Sequence, residues 1–127
     1  MSSVKILIAD DHEPVRRGLR SLVEARPGWN VCGEVADGKA AVAAARKLRP
    51  NLILLDVTMP EMSGLDAAQL IRVEVPDCRI LIVSQNEPAL MKKEAERVGA
   101  HGFISKSKIS EDLVLMIEAI VNSPENL

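Results

Sequence analysis

The sequence predicts an α/β protein in which five parallel strands are wound with helices on both faces. Three observations carry that prediction. Short apolar runs recur five times along the chain, and each is followed by a segment with helical periodicity. The run Leu52–Leu55 is apolar at every position, as expected of a strand buried on both faces. The total of 127 residues fits one compact domain with a sizeable core.

Val4–Ala9 reads as the first strand and ends in Asp10-Asp11. Glu13-Pro14 then opens a helix, because proline and an acid both suit a helix N-terminus. Val15, Leu19, Leu22 and Val23 form its apolar face, with Arg16, Arg17 and Arg20 on the other side. Pro27-Gly28 ends it. Val31–Ala36 is a weaker strand whose polar residues predict an outer position. Asp37-Gly38 is a turn signal, and the Ala-rich stretch Lys39–Leu48 predicts a helix closed by Pro50. The Leu52–Leu55 strand follows.

After the loop Pro60–Gly64, a helix is expected over Leu65–Val75, with Leu65, Ala68, Ile71 and Val75 inward. Arg79–Val83 is a fourth buried strand ending at Ser84. A helix over about Ala89–Val98 follows, with Leu90, Met91, Ala95 and Val98 as its apolar face and Gly99 as its cap. Gly102–Ser105 is a short fifth strand ending at Lys106. Ser110-Glu111-Asp112 is expected to cap a last helix, Leu113–Val121, with Leu113, Met116, Ile117 and Ile120 inward. Residues 123–127 read as a loose tail or the start of a linker.

Composition excludes several classes. Charge is nearly balanced at −2, with both signs spread along the chain, which argues against this segment gripping nucleic acid by its own field. No apolar run approaches the roughly 20 residues of a membrane span, and Met1–Lys5 lacks a signal-peptide pattern. Cys32 and Cys78 are far apart without a CxxC motif, so reduced thiols and a cytoplasmic location are expected. A metal site from Cys32, Cys78, His12 and His101 has no ligand spacing behind it.

The chemistry gathers where the strands end. In doubly wound sheets the site lies outside the carboxyl ends of the strands. Strand one supplies Asp10 and Asp11, strand three Asp56, strand four Ser84 and strand five Lys106. Crowded carboxylates repel, so protons or a cation must sit among them. Oxygen-rich ligation suits a hard ion, most naturally Mg²⁺, which spends open positions on phosphate oxygens. A lysine and a hydroxyl match the remaining phosphoryl oxygens. Aspartate can itself be the nucleophile and form an aspartyl phosphate. Taken singly, Asp10 or Asp11 could cap the first helix, Lys106 could be a solvated surface lysine and Ser84 a turn former. Asp56 has no capping duty so early in its loop.

At these residues the chain closely resembles the receiver domain of two-component response regulators. The anchors are Ile6–Asp11, Leu54–Pro60 with Gly64 beyond, Val83-Ser84, and Gly102–Lys106. Ala9–His12, Val35–Gly38 and Gly99–Phe103 are similar to the LuxR/NarL-type subgroup, whose members usually carry a helix-turn-helix DNA-binding domain after the receiver. The resemblance implies a flavodoxin-like (βα)5 fold with strand order 2-1-3-4-5. It implies a receiver domain over residues 1–122, with 123–127 leading toward an output domain outside this chain.

The resemblance also implies the roles. Asp56 would accept a phosphoryl group from a phosphohistidine on a sensor histidine kinase or phosphotransfer protein. Asp11 and Asp56 would ligate Mg²⁺ directly, Thr58 through its backbone carbonyl, and Asp10 largely through water. Lys106 and Ser84 would contact the phosphoryl oxygens. Phe103 matches an aromatic switch position, and simple core packing is its alternative. Phosphorylation would change the surface of strands four and five and helix four, controlling transcription through the output domain. A homodimer could form on activation. The chain would be a phosphoacceptor switch that assists its own phosphotransfer and autodephosphorylation, not an enzyme.

Three departures from the family pattern bear on the site. Ser107 stands where proline is common. A non-proline cis bond costs about 2.5–4 kcal/mol, so the Lys106–Ser107 bond is expected to be trans or strained. Ser84 replaces the frequent threonine, and Gln85 is bulkier than the usual neighbour and narrows access to Asp56. Thr58 and Asn86 are neither acid nor base, which predicts a long-lived phosphate; a half-life of seconds would refute this. Three other classes fit worse. A haloacid-dehalogenase-like phosphatase needs a second Asp two residues after the nucleophile, where this chain has Thr58. A nucleotide or flavin module needs a Gly-rich loop after strand one, where this chain has Asp10–Glu13. A pure docking module would not need the intact acid set.

Overall fold

The computed structural model describes residues 3–85 and 88–123. Asn86 and the tail from residue 124 onward lie outside the described residues, with the readings made of them. Strands β1 (Val4–Ala9), β2 (Trp29–Val35), β3 (Leu52–Asp56), β4 (Arg79–Ser84) and β5 (Gly102–Ser105) alternate with five α-helices. These are α1 (Glu13–Glu24), α2 (Gly38–Leu48), α3 (Gly64–Glu74), α4 (Pro88–Val98) and α5 (Ile109–Asn122). All strand pairs are parallel, in the order β2-β1-β3-β4-β5.

Side-chain alternation along the strands builds two cores. Ile6, Ile8, Leu52, Leu54, Leu81 and Val83 face α1 and α5, where Leu19, Val23, Leu113 and Ile117 close over them. Leu7, Ala9, Ile53, Leu55, Ile80 and Ile82 face the other layer, met by Ala41, Ala45, Ala67, Ala68, Ile71 and Met91 of α2, α3 and α4. The alanines let α2 and α3 approach the sheet closely. β3 is buried along its whole length, with helices on both faces and a strand on either side. Truncating one of its leucines to alanine removes apolar contacts on a face that cannot collapse, which typically costs about 2–5 kcal/mol.

Several boundaries differ from the sequence expectations. β2 starts at Trp29, two residues early, and its register against β1 slips between Ile6 and Leu7 so that Cys32 has no partner. A bulge of this kind is tolerated on an edge strand. Asp37 is not merely part of a turn. Its carboxylate accepts the Ala40 N–H at 2.7 Å and caps α2. Asp37→Ala is therefore expected to cost about 1 kcal/mol, read as a lower urea midpoint at unchanged slope.

α5 starts at Ile109, after a single 3₁₀ turn over Lys106–Lys108, and Ser110 does not cap it. Leu90 faces solvent at 54% exposure instead of joining the core, and in α3 Ala67 is fully buried whereas Leu65 is half-buried. Neither Asp10 nor Asp11 occupies the N-cap of α1. His12 does, without a side-chain hydrogen bond.

Two polar ties hold the end of the sheet opposite the strand carboxyl ends. Ile80 N–H donates to His101 Nδ1 at 3.0 Å, and His101 N–H donates to the Ile80 carbonyl at 2.8 Å. The Arg79 guanidinium donates to the carbonyls of Ile120 and Ser123 at 2.6 and 2.8 Å, capping the C-terminus of α5. Cys78 is buried beside them, and burial pushes its thiol up to about 12. An acid whose folded pKa exceeds its unfolded value of 9.0 releases its proton on unfolding. The stability it protects is thus complete below about pH 9 and lost as pH rises toward 12. Cys78 should resist a disulfide reagent in the folded chain at neutral pH and react once urea unfolds it.

Candidate functional site

The carboxyl ends of the strands meet at one rim, because parallel strands all finish on the same edge of the sheet. Asp56 ends β3 and is only 4% exposed; Ser84 ends β4 and is 2% exposed. Asp10 follows β1 and is fully buried, while Asp11 next to it is exposed. Lys106 follows β5 and reaches inward. Its Nζ lies 3.2 Å from Asp56 Oδ1 and 3.2 Å from Asp10 Oδ2. A cleft of about 180 Å³ opens above them, lined by Asp11, Asp56, Thr58, Ser84 and Lys106. His12 and Gln85 line it too.

The loop carrying Thr58 is held by two close backbone approaches. Gly64 N–H donates to the Val57 carbonyl at 2.7 Å, and a Cβ on Gly64 would lie 1.8 Å from the Asp56 carbonyl oxygen. Gly38 N–H donates to the Pro60 carbonyl at 3.2 Å, and a Cβ there would lie 1.9 Å from the Met62 carbonyl oxygen. The start of α3 thus rests on the backbone of Asp56 itself, and the start of α2 clamps the far side of the loop. The peptide bonds of the described residues are all trans, Lys106–Ser107 included. Ser105 Oγ accepts from Ser107 N–H at 3.4 Å and lies 3.0 Å from Ser107 Oγ, which shapes the turn where proline is common.

The electrostatics are those of an acid-rich pocket with one deep cation. Burial and then the neighbouring Asp10 charge push the Asp56 carboxyl up, against the pull of Lys106. For Lys106, burial works downward, but Asp56 and Asp10 outweigh it and the net direction is up. Asp10 Oδ1 accepts the His12 N–H at 2.8 Å. Asp10 Oδ2 is at ion-pair distance from Lys106 yet makes no hydrogen bond, a buried carboxylate oxygen with spare capacity. Sequence reasoning missed Arg16, assigned to the outer face of α1. Its guanidinium donates to the Asp10 carbonyl at 2.7 Å and pairs with Glu34 at 3.3 Å. It lies in the first turn of α1, five residues after Asp11, a proximity that could have flagged it.

The other predicted residues lie apart from the cleft. Phe103 is half-buried against the core under α4, in a groove with Lys92, Ala95 and Ala100. His101 is tied to Ile80, and Cys32 and Cys78 sit in or against the same helix-facing core. Among the described residues, Asp10, Asp11 and His12 are the group whose ligand atoms come close enough to hold one ion.

The profile described as the response regulator receiver domain matches residues 6–118. The chain belongs to the response regulator receiver domain family. Relatives of this receiver include the transcriptional regulatory protein YdfI of Bacillus subtilis, 40% identical over 117 residues, or 92% of this chain and 54% of that protein. The chain thus spans about half the length of the curated relatives it matches. A LuxR-family response regulator from Aurantimonas superposes with a TM-score of 0.88 at 37% identity, covering 94% of this chain and 86% of the other. The receiver domain of a NarL response regulator from Mycobacterium tuberculosis gives 0.90 at 27% identity, over 98% and 100% of the two chains. The receiver therefore has the flavodoxin-like fold of its neighbours, and its kin are LuxR/NarL-type transcriptional regulators. Receivers in general bind Mg²⁺. The donor set here fits that ion: two carboxylates at the cleft wall, a third behind them, and an unbonded buried oxygen on Asp10. Among the described residues, no helix is long and apolar enough to cross a membrane.

Proposed function

We infer that this receiver is a phosphorylation switch in which Asp56 takes a phosphoryl group from a sensor histidine kinase or phosphotransfer protein. The observation that carries the reading is the convergence of Asp56, Lys106, Ser84 and Asp11 on one small cleft at the rim of the sheet. Asp56 is the nucleophile, a carboxylate held rigidly by a buried strand and by the α3 N-terminus behind its carbonyl. Asp11, Asp56 and the Thr58 carbonyl would hold Mg²⁺, with Asp10 acting largely through water. Bound there, the ion supplies charge neutralisation for the phosphoryl oxygens. Lys106 moves from Asp56 to the new phosphate, and Ser84 donates its hydroxyl to another oxygen. The same groups assist phosphotransfer and the later hydrolysis of the acyl phosphate.

The switch follows from differential contact. Phosphorylation adds about −1.5 to −2 charge and three strong acceptors beside Lys106 and Ser84. Drawing Ser84 inward shifts the loop after β4 and lets half-buried Phe103 turn into the space released. That alters the surface of β4, β5 and α4. Residues 1–122 form the receiver, 123–127 lead to a DNA-binding output domain, and activation favours a homodimer that controls transcription in the cytoplasm. Beryllofluoride with Mg²⁺ tests this as a ligand of the native state. At 100 times its dissociation constant such a ligand adds about 2.7 kcal/mol. The wild-type melting temperature should rise by several degrees and that of Asp56→Asn should not; equal responses would discard the reading.

A further inference from the structure

A second opening lies beside the phosphoryl cleft, between α1 and the start of α5. Its volume is about 500 Å³, within the range of small-molecule sites. Val15, Leu19 and Leu22 of α1 and Ile109 of α5 give it apolar walls. Gln85 and Lys106 line both openings, so the groove begins where the phosphoryl cleft ends. The phosphoryl chemistry of Asp56 uses none of these apolar side chains.

Gly18 helps to hold the groove open. It lies inside α1 and lines the groove, and nothing stands within 4 Å of a Cβ built on it. Glycine weakens a helix interior relative to alanine, and here no close approach of another backbone requires it. What its missing side chain leaves is space, in an apolar wall next to a reactive cleft.

The chemistry of the acceptor limits what can fill that space. An aspartyl phosphate is a mixed anhydride, so its donor must hold its phosphoryl group at least as weakly. Phosphate esters hold it too strongly, whereas an acyl phosphate is the same kind of anhydride as the product. In such a transfer the bond between phosphorus and the acyl oxygen breaks, a bond from phosphorus to an Asp56 carboxylate oxygen forms, and a free carboxylate leaves. The leaving group departs on the side away from the attacking oxygen, toward the mouth of the cleft where Gln85 stands.

We propose that the groove along α1 is a subsite for the apolar body of a small acyl phosphate, so that the chain prefers donors with a longer acyl group to acetyl phosphate. This rests on the reading of Asp56 as the phosphoacceptor. Lys106, shared by the two openings, meets the phosphoryl oxygens, while Val15, Leu22 and Ile109 cover the acyl methylenes.

The test is the second-order rate constant of phosphoryl uptake from hexanoyl phosphate and from acetyl phosphate, with Mg²⁺, read by intact mass of the full chain at low donor concentration. A fully buried methylene is worth about fourfold, so partial burial of the four extra methylenes of the hexanoyl group should favour hexanoyl over acetyl phosphate by at least about tenfold. Gly18→Leu fills the groove and Leu22→Gln removes its apolar wall. Each should lower the hexanoyl-to-acetyl ratio by at least about threefold. Melting curves verify that both variants are folded. Equal rates from the two donors in wild type would overturn the proposal and leave Asp56 as the acceptor. A hexanoyl preference that survives in both variants would place the acyl group elsewhere and overturn the assignment of the groove. If folded wild type takes a phosphoryl group from neither donor, the phosphoacceptor reading falls and the subsite falls with it.

Discussion

Replacing Asp56 by Asn is expected to abolish phosphoryl uptake and, at the same time, to make the resting protein more stable. The two effects have one origin. Asp56 is nearly buried, next to the Asp10 carboxylate, and its environment on balance disfavours the ionised form even with Lys106 3.2 Å away. Asparagine keeps the shape, removes the charge and leaves Lys106 paired with Asp10. Neutralising a buried ion of this kind returns on the order of 1 kcal/mol, the low end of the known range. For this chain length that corresponds to a rise of about 3–5 °C in melting temperature. The sign of the pH dependence follows. A carboxyl whose folded pKa is raised loses its contribution to stability as pH climbs from its ordinary 3.8 through the raised value. The variant should therefore exceed wild type at neutral pH, and the gap should close toward acid. Scanning calorimetry across that range checks this. A variant less stable than wild type at neutral pH would mean that the Lys106–Asp56 attraction outweighs burial and repulsion.

Gly64→Ala is expected to cause a large loss of stability from a single added methyl. The new Cβ would sit 1.8 Å from the Asp56 carbonyl oxygen, 2.7 Å from its carbon and 2.9 Å from the Val57 Cα. All three are backbone atoms of a strand end buried on both sides, so none can swing away. Overpacking costs about 1–3 kcal/mol where side chains yield, and more where backbone must move. A loss of at least about 3 kcal/mol, or about 10 °C in melting temperature, is expected. Gly18→Ala on α1 is the control, because nothing lies within 4 Å of a Cβ there. It should be neutral or slightly stabilising by helix propensity. The measurement also bears on function. Moving the Asp56 backbone displaces the carboxylate from Lys106, so phosphoryl uptake should fall even in conditions where Gly64→Ala remains folded. Equal stability of the two alanine variants would contradict the close approach.

These two residues illustrate what the sequence makes legible and what it hides. Asp56 was visible because an acid directly after four apolar residues has no local structural duty. Asp10, Asp11, Ser84 and Lys106 were visible for the same reason, each standing where an apolar run stops. The strand order came from the family pattern, and the apolar runs alone settled the layers. Gly64 was noticed only as part of a motif. What it does depends on a carbonyl eight residues earlier in the chain, which no periodicity reports. Arg16 was misplaced because helical spacing puts it outward, yet a long side chain near a helix start can bend back to a strand end. The early start of α5 was missed because Lys106–Lys108 form a 3₁₀ turn, whose three-residue period leaves no apolar stripe. Leu90 was assigned inward on spacing alone, although α4 is mostly charged and its buried stripe is only Met91, Ala95 and Val98.

The central claim is that Asp56 itself becomes the acyl phosphate. The most direct measurement is to incubate the chain with acetyl phosphate and Mg²⁺, quench with borohydride, and map the peptides by mass spectrometry. Borohydride reduces an aspartyl phosphate to homoserine and leaves a free carboxylate untouched. The expected result is homoserine at position 56 in wild type, dependent on both acetyl phosphate and Mg²⁺. Homoserine at Asp10 or Asp11 instead, or none at any position while the chain remains folded, would contradict the account.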